Sequence, residues 1–252
     1  MTQNAETIKR SVDDFYETQG TSFSSTRHAP WGVMKLVQES LKSGDVLVDF
    51  GAGNGRLGLG IPDSVRYNAV EPSSSLRAEA AKILAERKNV EIIDGGFVVG
   101  EQHATSIQES SADAIACLAV LHHIPTDAAR RAAIAKLARI LKPGGTLILT
   151  VWNLRCKKFF RNKTLAERIR IWLAAHLRLS MVSGGGKGDV MVSWKANGAS
   201  TVRYVHAFTL DELKKLFDPM IWEIEVISAW GNETPTSLEE GRNLVVKALK
   251  KQ

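Results

Sequence analysis

Residues 46–56 read Val46-Leu47-Val48-Asp49-Phe50-Gly51-Ala52-Gly53-Asn54-Gly55-Arg56. A β-prone apolar run passes straight into three glycines at alternate positions. The run reads as a buried parallel strand. The glycines mark a turn that another molecule approaches closely, because a Cβ would stand in its way. A helix starting just after the turn would aim its free N–H groups at the same point. Open α/β sheets bind ligands there, at the carboxyl ends of their strands. The plain alternative is a tight strand-to-helix turn with no ligand.

The spacing narrows the ligand. A dinucleotide fingerprint reads G-x-G-x-x-G. Here Gly51, Gly53 and Gly55 read G-x-G-x-G, with Asp49 two residues ahead. That pattern resembles the first motif of class I S-adenosylmethionine (SAM) methyltransferases. Glu71 closes the next apolar run, Tyr67 to Val70, about 20 residues on, the usual distance for a ribose contact. Asp94-Gly95 and Pro143-Gly144-Gly145 follow in order. The expected cofactor contacts are Asp49, Gly51, Gly53, Asn54, Gly55, Glu71, Pro72, Asp94, Gly95 and Leu118. Backbone N–H groups after Asp49 and Gly51 would hold the carboxylate of SAM. Glu71 would take the ribose and Asp94 the adenine amino group, with Gly95 leaving room for the ring. The run Leu118-Ala119-Val120 would offer carbonyls to the ammonium.

Strand-like and helix-like runs alternate around this motif, which predicts a doubly wound, Rossmann-like α/β sheet of seven strands. Strands are expected near 46–50, 67–71, 90–94, 112–118, 145–152, 222–229 and 243–249. Helices are expected at about 55–60, 74–87, 126–141 and 209–217, with Ser73 and Thr126 as caps. An N-terminal helical segment, 1–42, precedes the sheet. It has a helix from about Ala5 to Thr18, a loop from Phe23, and a helix from about Trp31 to Leu41. Residues 153–200 read as an insertion after strand 5. Its first part, Leu154 to Leu179, is helical and basic: Arg155, Lys157, Lys158, Arg161, Lys163, Arg168, Arg170 and Arg178 stand against Glu167, with Phe159, Phe160 and Trp172 interleaved. Ser183 to Gly188 reads as a mobile loop. Gly95 to Ser111 is longer than most connections in such a sheet. The whole chain, 1–252, is expected to be one methyltransferase domain.

At 252 residues there is room for one large domain. No apolar stretch reaches membrane-spanning length, and the polar N-terminus lacks a signal-peptide core. Cys117 and Cys156 imply no disulfide framework and suit a reducing cytoplasm. No metal site is expected. The net charge of +6 favours an anionic partner.

Methyl transfer is an in-line displacement, so alignment is the main task. A hydroxyl or amine acceptor must lose a proton and needs a base nearby. A carboxylate is already anionic and needs none. The candidates beside the methyl are Arg27, His122, His123, Arg203, Tyr204 and His206. They are donors or dual groups, with no lone carboxylate among them, which leans towards an anionic acceptor. The bland readings stand beside this. His122-His123 could be a helix-start pair held by backbone bonds, and Arg203 to His206 a strand with alternate side chains in solvent. Trp31 could pack under the sheet with Arg27 solvated.

Four segments carry a closer resemblance: Phe23 to Trp31; Asp49 to Arg56; Leu121-His122-His123-Ile124-Pro125-Thr126 on through Leu141-Lys142-Pro143-Gly144-Gly145 to Val151-Trp152; and Asp189 to Trp194 with Arg203-Tyr204-Val205-His206. Together they resemble the Trm9-like tRNA wobble-uridine methyltransferases, related to the methyltransferase domain of the AlkB-homologue tRNA enzyme. The resemblance implies a methyl ester formed on 5-carboxymethyluridine in a tRNA anticodon loop. It also implies that Arg27, His122 and Arg203 face the substrate carboxylate and SAM. Eukaryotic members of that family work with a small zinc-binding activator protein. The chain departs from the family at Ser193, where Pro is usual, at Ala52 in place of Cys, and in the longer segment after Asp94. A SAM enzyme acting on a small-molecule acceptor, with the insertion as a lid, is the alternative. A SAM-fold protein that binds without turnover is a third.

Overall fold

The computed structural model of the chain describes residues 3–26, 32–97, 107–161, 163–196, 199–231 and 234–252. The strands are β1 (Val46–Phe50), β2 (Arg66–Glu71), β3 (Val90–Asp94), β4 (Ala112–Leu118), β5 (Leu141–Trp152), β6 (Asp189–Ala196), β7 (Ala199–His206), β8 (Trp222–Trp230), β9 (Pro235–Thr236) and β10 (Asn243–Lys250). The helices are α1 (Gln3–Ser24), α2 (Gly32–Glu39), α3 (Ser74–Ile83), α4 (Asp127–Ile140), α5 (Leu165–His176) and α6 (Leu210–Lys214).

The main sheet runs β3-β2-β1-β4-β5-β10-β8-β9. Strands β1 to β5 pair in parallel, and β10 runs antiparallel between β5 and β8. The expected seven strands are all present, and the two-residue β9 adds an eighth at the edge. The strand order reverses between β1 and β4, which opens a crevice at their carboxyl ends.

Period-two alternation sorts the core into two layers. Val48 and Phe50 of β1, with Ile115 and Cys117 of β4, pack towards Ile134 and Leu137 of α4. Leu47, Ala114 and Ala116 face the other way, towards Val33, Met34 and Val37 of α2. Both faces of the central strands are thus covered, as their continuous apolar runs required.

Several boundaries differ from expectation. The helix after the glycine turn is only a 3-10 turn over Arg56–Gly60, because Gly58 and Gly60 weaken it. A helix of that size offers no dipole to a ligand. Helix α1 runs on to Ser24 and absorbs the start of the expected loop at Phe23. It packs tightly on α3: a Cβ at Gly20 would run into the Ser75 hydroxyl. Ser25 and Thr26 follow as a turn, and the rest of that loop, 27–31, with Arg27 and Trp31, lies outside the described residues.

The insertion carries less helix than its basic run suggested and more strand. One 3-10 turn covers Lys157–Phe160, α5 covers Leu165–His176, and β6 and β7 form an antiparallel hairpin. Val190, Val192 and Val205 of the hairpin pack on Ile171, Ala174 and Ala175 of α5. Tyr204 meets Ile8 and Val12 of α1. The hairpin is thereby held between α1 and α5, over the carboxyl end of the main sheet.

Candidate active site

A cavity of about 1100 Å³ opens at the crevice between β1 and β4. It reaches from the glycine turn to the hairpin, and exceeds the roughly 300–1000 Å³ usual for one drug-sized ligand. Asp49, Gly51, Gly53, Asn54, Glu71, Pro72 and Leu118 line one end. Gly55 does not; it packs beneath the turn, where a Cβ would press on Leu84.

Glu71 ends β2 and is buried. Its two oxygens accept from Gly53 N at 2.9 Å and Ser73 N at 3.0 Å. Burial pushes its carboxyl up to about 7 against those bonds. Asp49 is buried too, and accepts from the Tyr67 hydroxyl at 2.7 Å. Burial raises it to about 7, opposed by Tyr67 and Arg56. Raised carboxyls in a cleft are a pattern that functional sites share.

The fit to SAM rests on Gly53. Its φ is +59°, and among the described residues no atom beyond its chain neighbours lies within 4 Å of the place its Cβ would take. Since Gly53 lines the cavity, that space is open to a ligand. Beside it, Ala119 holds φ +60° without being glycine, a strained backbone of the kind found at binding sites.

Two cofactor expectations fail. The N–H groups of Gly51 and Ala52 bond the Val70 carbonyl, and that of Gly55 bonds the Ala52 carbonyl, so the turn does not present a row of free donors. Asp94 and Gly95 do not line the cavity; Gly96 and Phe97 do. Arg77 grips both Asp94 oxygens, at 2.9 and 3.0 Å. An exposed carboxylate beside a guanidinium fork takes that bidentate pair in preference to a distant amine.

The other end is built by Arg203, Tyr16, His123 and Trp152. Arg203 on β7 is only 3% exposed. Its guanidinium carbon sits 4.3 Å from the Trp152 ring centre and 5.0 Å from that of Phe15. Nη1 donates to the Tyr16 hydroxyl at 3.1 Å. Nε is buried without a partner, and no carboxylate pairs with the group among the described residues. Burial lowers its pKa, yet a guanidinium keeps its charge in proteins.

The bonds at His123 fix its tautomer. Nδ1 lies 2.8 Å from the Tyr204 carbonyl, which only accepts, so Nδ1 carries the proton. Nε2 therefore accepts from the Tyr16 hydroxyl at 2.9 Å. Burial and the neighbouring Arg203 push the imidazole down to about 3. His123 is neutral, and its lone pair is already taken.

Three other candidates sit elsewhere. His122 does not line the cavity; it is fully buried, stacked 4.8 Å from Trp152, with Nδ1 accepting from Trp152 N. Burial drives its pKa well down. Tyr204 donates to Asp189 at 2.7 Å. His206 stands between Asp189, at 2.6 Å, and Glu212, at 2.9 Å. Tyr204 and His206 belong to a buried network that ties the insertion to α6, because side chains alternate along β7 and only Arg203 reaches the cavity.

Tyr16 escaped the sequence reading. The signal for it was the apolar stripe Ile8, Val12 and Phe15 at helical spacing, which turns α1 towards the core with Tyr16 beside it. At the cavity mouth stand Arg161, Lys195 and Arg242, without ion pairs among the described residues. Lys157 and Lys158, by contrast, pair with Glu239 and Glu240. No described helix is long and apolar enough to cross a membrane.

The family described as a methyltransferase domain matches residues 48–149. An uncharacterized methyltransferase of Geobacillus thermodenitrificans is 30% identical over 169 residues, covering 67% of this chain and 72% of that protein. A tRNA (carboxymethyluridine(34)-5-O)-methyltransferase of Arabidopsis thaliana is 36% identical over 147 residues, 58% of this chain. The match spans only 34% of that relative's length. Among solved structures, a SAM-dependent methyltransferase of Methanosarcina mazei aligns with TM-score 0.62 at 20% identity, covering 86% of this chain and 97% of that one. A Haloferax volcanii putative methyltransferase, solved in complex with the Trm112 methyltransferase activator, aligns with TM-score 0.61 at 16% identity, covering 96% and 98%.

Proposed function

Because the chain belongs to the methyltransferase-domain family and has the fold of the SAM-dependent enzymes, we propose that it esterifies a carboxylate on RNA. The specific acceptor in this reading is 5-carboxymethyluridine at the wobble position of a tRNA anticodon loop. The Arabidopsis relative's name and the segments around Arg203 support that choice.

One observation carries the reading: Arg203 is a buried cation that lines the cavity with no carboxylate paired to it among the described residues. An uncompensated buried charge costs several kcal/mol. Stacking on Trp152 and Phe15 offsets part of this, at about 2 kcal/mol for a desolvated cation–π contact. An anionic acceptor supplies the missing counter-charge.

Asp49, Glu71 and the space at Gly53 would hold SAM, which would supply a methyl group on a sulfonium centre. The chain's own groups do the rest. Arg203 binds and orients the acceptor carboxylate with its unused N–H donors. Tyr16 fixes the guanidinium from the side. His123 takes no proton, since it is neutral and its Nε2 is occupied. An acceptor that is already anionic requires no base. The arrangement therefore suits esterification better than methylation of an amine or hydroxyl.

The free cations Arg161, Lys195 and Arg242 at the mouth support a phosphodiester chain as the carrier of the acid. A small zinc-binding activator protein and a cytoplasmic location belong to the same reading. The archaeal structure with an activator supports the former.

The test is transfer of labelled methyl from SAM to tRNA bearing the free acid. A methyl ester releases its label in mild alkali. Alkali-stable label, or label on free acids but never on RNA, would favour another acceptor.

A further inference from the structure

The insertion builds a second cavity, of about 280 Å³, between α5 and the β6–β7 hairpin. Met191 and Val202 give it an apolar floor, Thr164 and Ser200 contribute hydroxyls, and Arg170 and Lys195 bring positive charge. Resting on the RNA reading, we propose that this cavity is a subsite for the nucleotide next to the acceptor nucleoside.

Continuity is the first reason. Ser193 and Lys195 line both cavities, so the two meet along the edge of β6, with Val202 on the opposite face of the hairpin from Arg203. Charge is the second. The carboxylate in this lining, Glu167, is already spent. It accepts from Ser193 N and Oγ, each at 2.9 Å, and pairs with Lys163 at 3.1 Å. Arg170 and Lys195 have no ion-pair partner among the described residues, so the net field at the opening is positive. Size is the third. The volume falls just below the roughly 300–1000 Å³ of a drug-sized site, which admits one base or phosphate and not a second cofactor. The apolar floor suits the face of a base, which stacks with little regard to sequence. The two cations suit the phosphate that joins it to the acceptor.

The test is binding of a fluorescent anticodon stem-loop RNA, followed by anisotropy across a salt series, with SAM affinity measured in parallel by calorimetry. Arg170→Glu and Val202→Asp change exposed residues of the small cavity. Arg66→Glu, at the amino end of β2 and so at the far end of the sheet, controls for net charge. Arg170→Glu should weaken RNA binding about tenfold, as for a lost bond to a charged group, and flatten the salt slope by about one. Val202→Asp should also weaken it, while Arg66→Glu and SAM affinity should not change. Equal effects of Arg170→Glu and Arg66→Glu, or no RNA binding by the wild-type protein, overturn the subsite. RNA binding that responds to Arg170 without any methyl transfer keeps the subsite and removes the methylation reading. Methyl transfer to tRNA with binding indifferent to both variants does the reverse.

Discussion

Arg203 donates to the hydroxyl of Tyr16, 3.1 Å away and 187 positions earlier in the chain. The same hydroxyl donates to His123 at 2.9 Å. A helix, a hairpin and the turn after β4 thus meet at one oxygen. That junction holds a guanidinium rigid at the end of a cavity whose other end suits SAM.

Removing the cation should abolish turnover and spare the cofactor. Arg203→Ala is expected to lower kcat/KM for the acceptor by at least about a hundredfold, equivalent to a lost charge-assisted pair of about 3 kcal/mol. Calorimetry should show SAM affinity within about twofold of wild type. Equal loss of both would place Arg203 in the fold and not in acceptor binding.

Tyr16→Phe leaves Arg203 charged and loosens it. The expected result is a rise in KM for the acceptor of about tenfold, from one hydrogen bond of about 1.5 kcal/mol. It should not create a bell-shaped pH profile, because His123 stays neutral above about 3. With SAM saturating, a new acidic limb near pH 6–7 would show that His123 does act as a base.

Gly53→Val should remove SAM binding. The residue needs φ +59°, which a β-branched side chain resists, and its Cβ would enter the cofactor's space. Unchanged affinity by calorimetry would move the cofactor elsewhere.

The raised carboxyls give cofactor affinity a pH dependence. Burial lifts Glu71 from 4.5, and Asp49 from 3.8, to about 7. Folding therefore favours their protonated forms. They stabilise the ligand-free fold below about pH 4, and that contribution is lost as pH rises through 7. SAM binding runs the other way, because Glu71 must be ionised to accept from both ribose hydroxyls. Affinity should be full above about pH 8 and fall by up to about tenfold per unit below 7. A flat profile between about pH 6 and 8 contradicts the ribose role.

Charge reversal should separate two sets of basic residues. Reversing Arg161 and Arg242 together should raise KM for tRNA several-fold and reduce its salt dependence by about two. Exchanging Lys157 with Glu239 should do little, because the two already neutralise each other. Initial rates across a salt series decide between the two outcomes.

Much of this was legible in the residues. The run 46–56, Glu71 and the alternation of apolar segments specify the central strands and the glycine end of the cavity, because each is a local pattern with a fixed period. The acceptor end was legible only in part. Arg203 and His123 stood out as chemistry-bearing types, but His122, Tyr204 and His206 did so equally. What separates them is which side of a strand faces the cavity and which partner has already taken each nitrogen, and both follow from tertiary packing. Asp94 misled for a related reason: Arg77 reaches it from α3, one turn into a helix, and the motif alone does not disclose that pair. Tyr16 was hidden because its role depends on contacts with residues 107 and 187 positions away. Arg27 lies outside the described residues.

Mass spectrometry of wobble nucleosides gives the most direct test. tRNA carrying 5-carboxymethyluridine is incubated with SAM and either the wild-type protein or Arg203→Ala, then digested. The wild-type sample should show that nucleoside converted to its methyl ester, and the Arg203→Ala sample should retain the free acid. A methyl group found on an amine or a ring carbon, or ester formed equally well without Arg203, would contradict the assignment of this cation as the receptor for an acid.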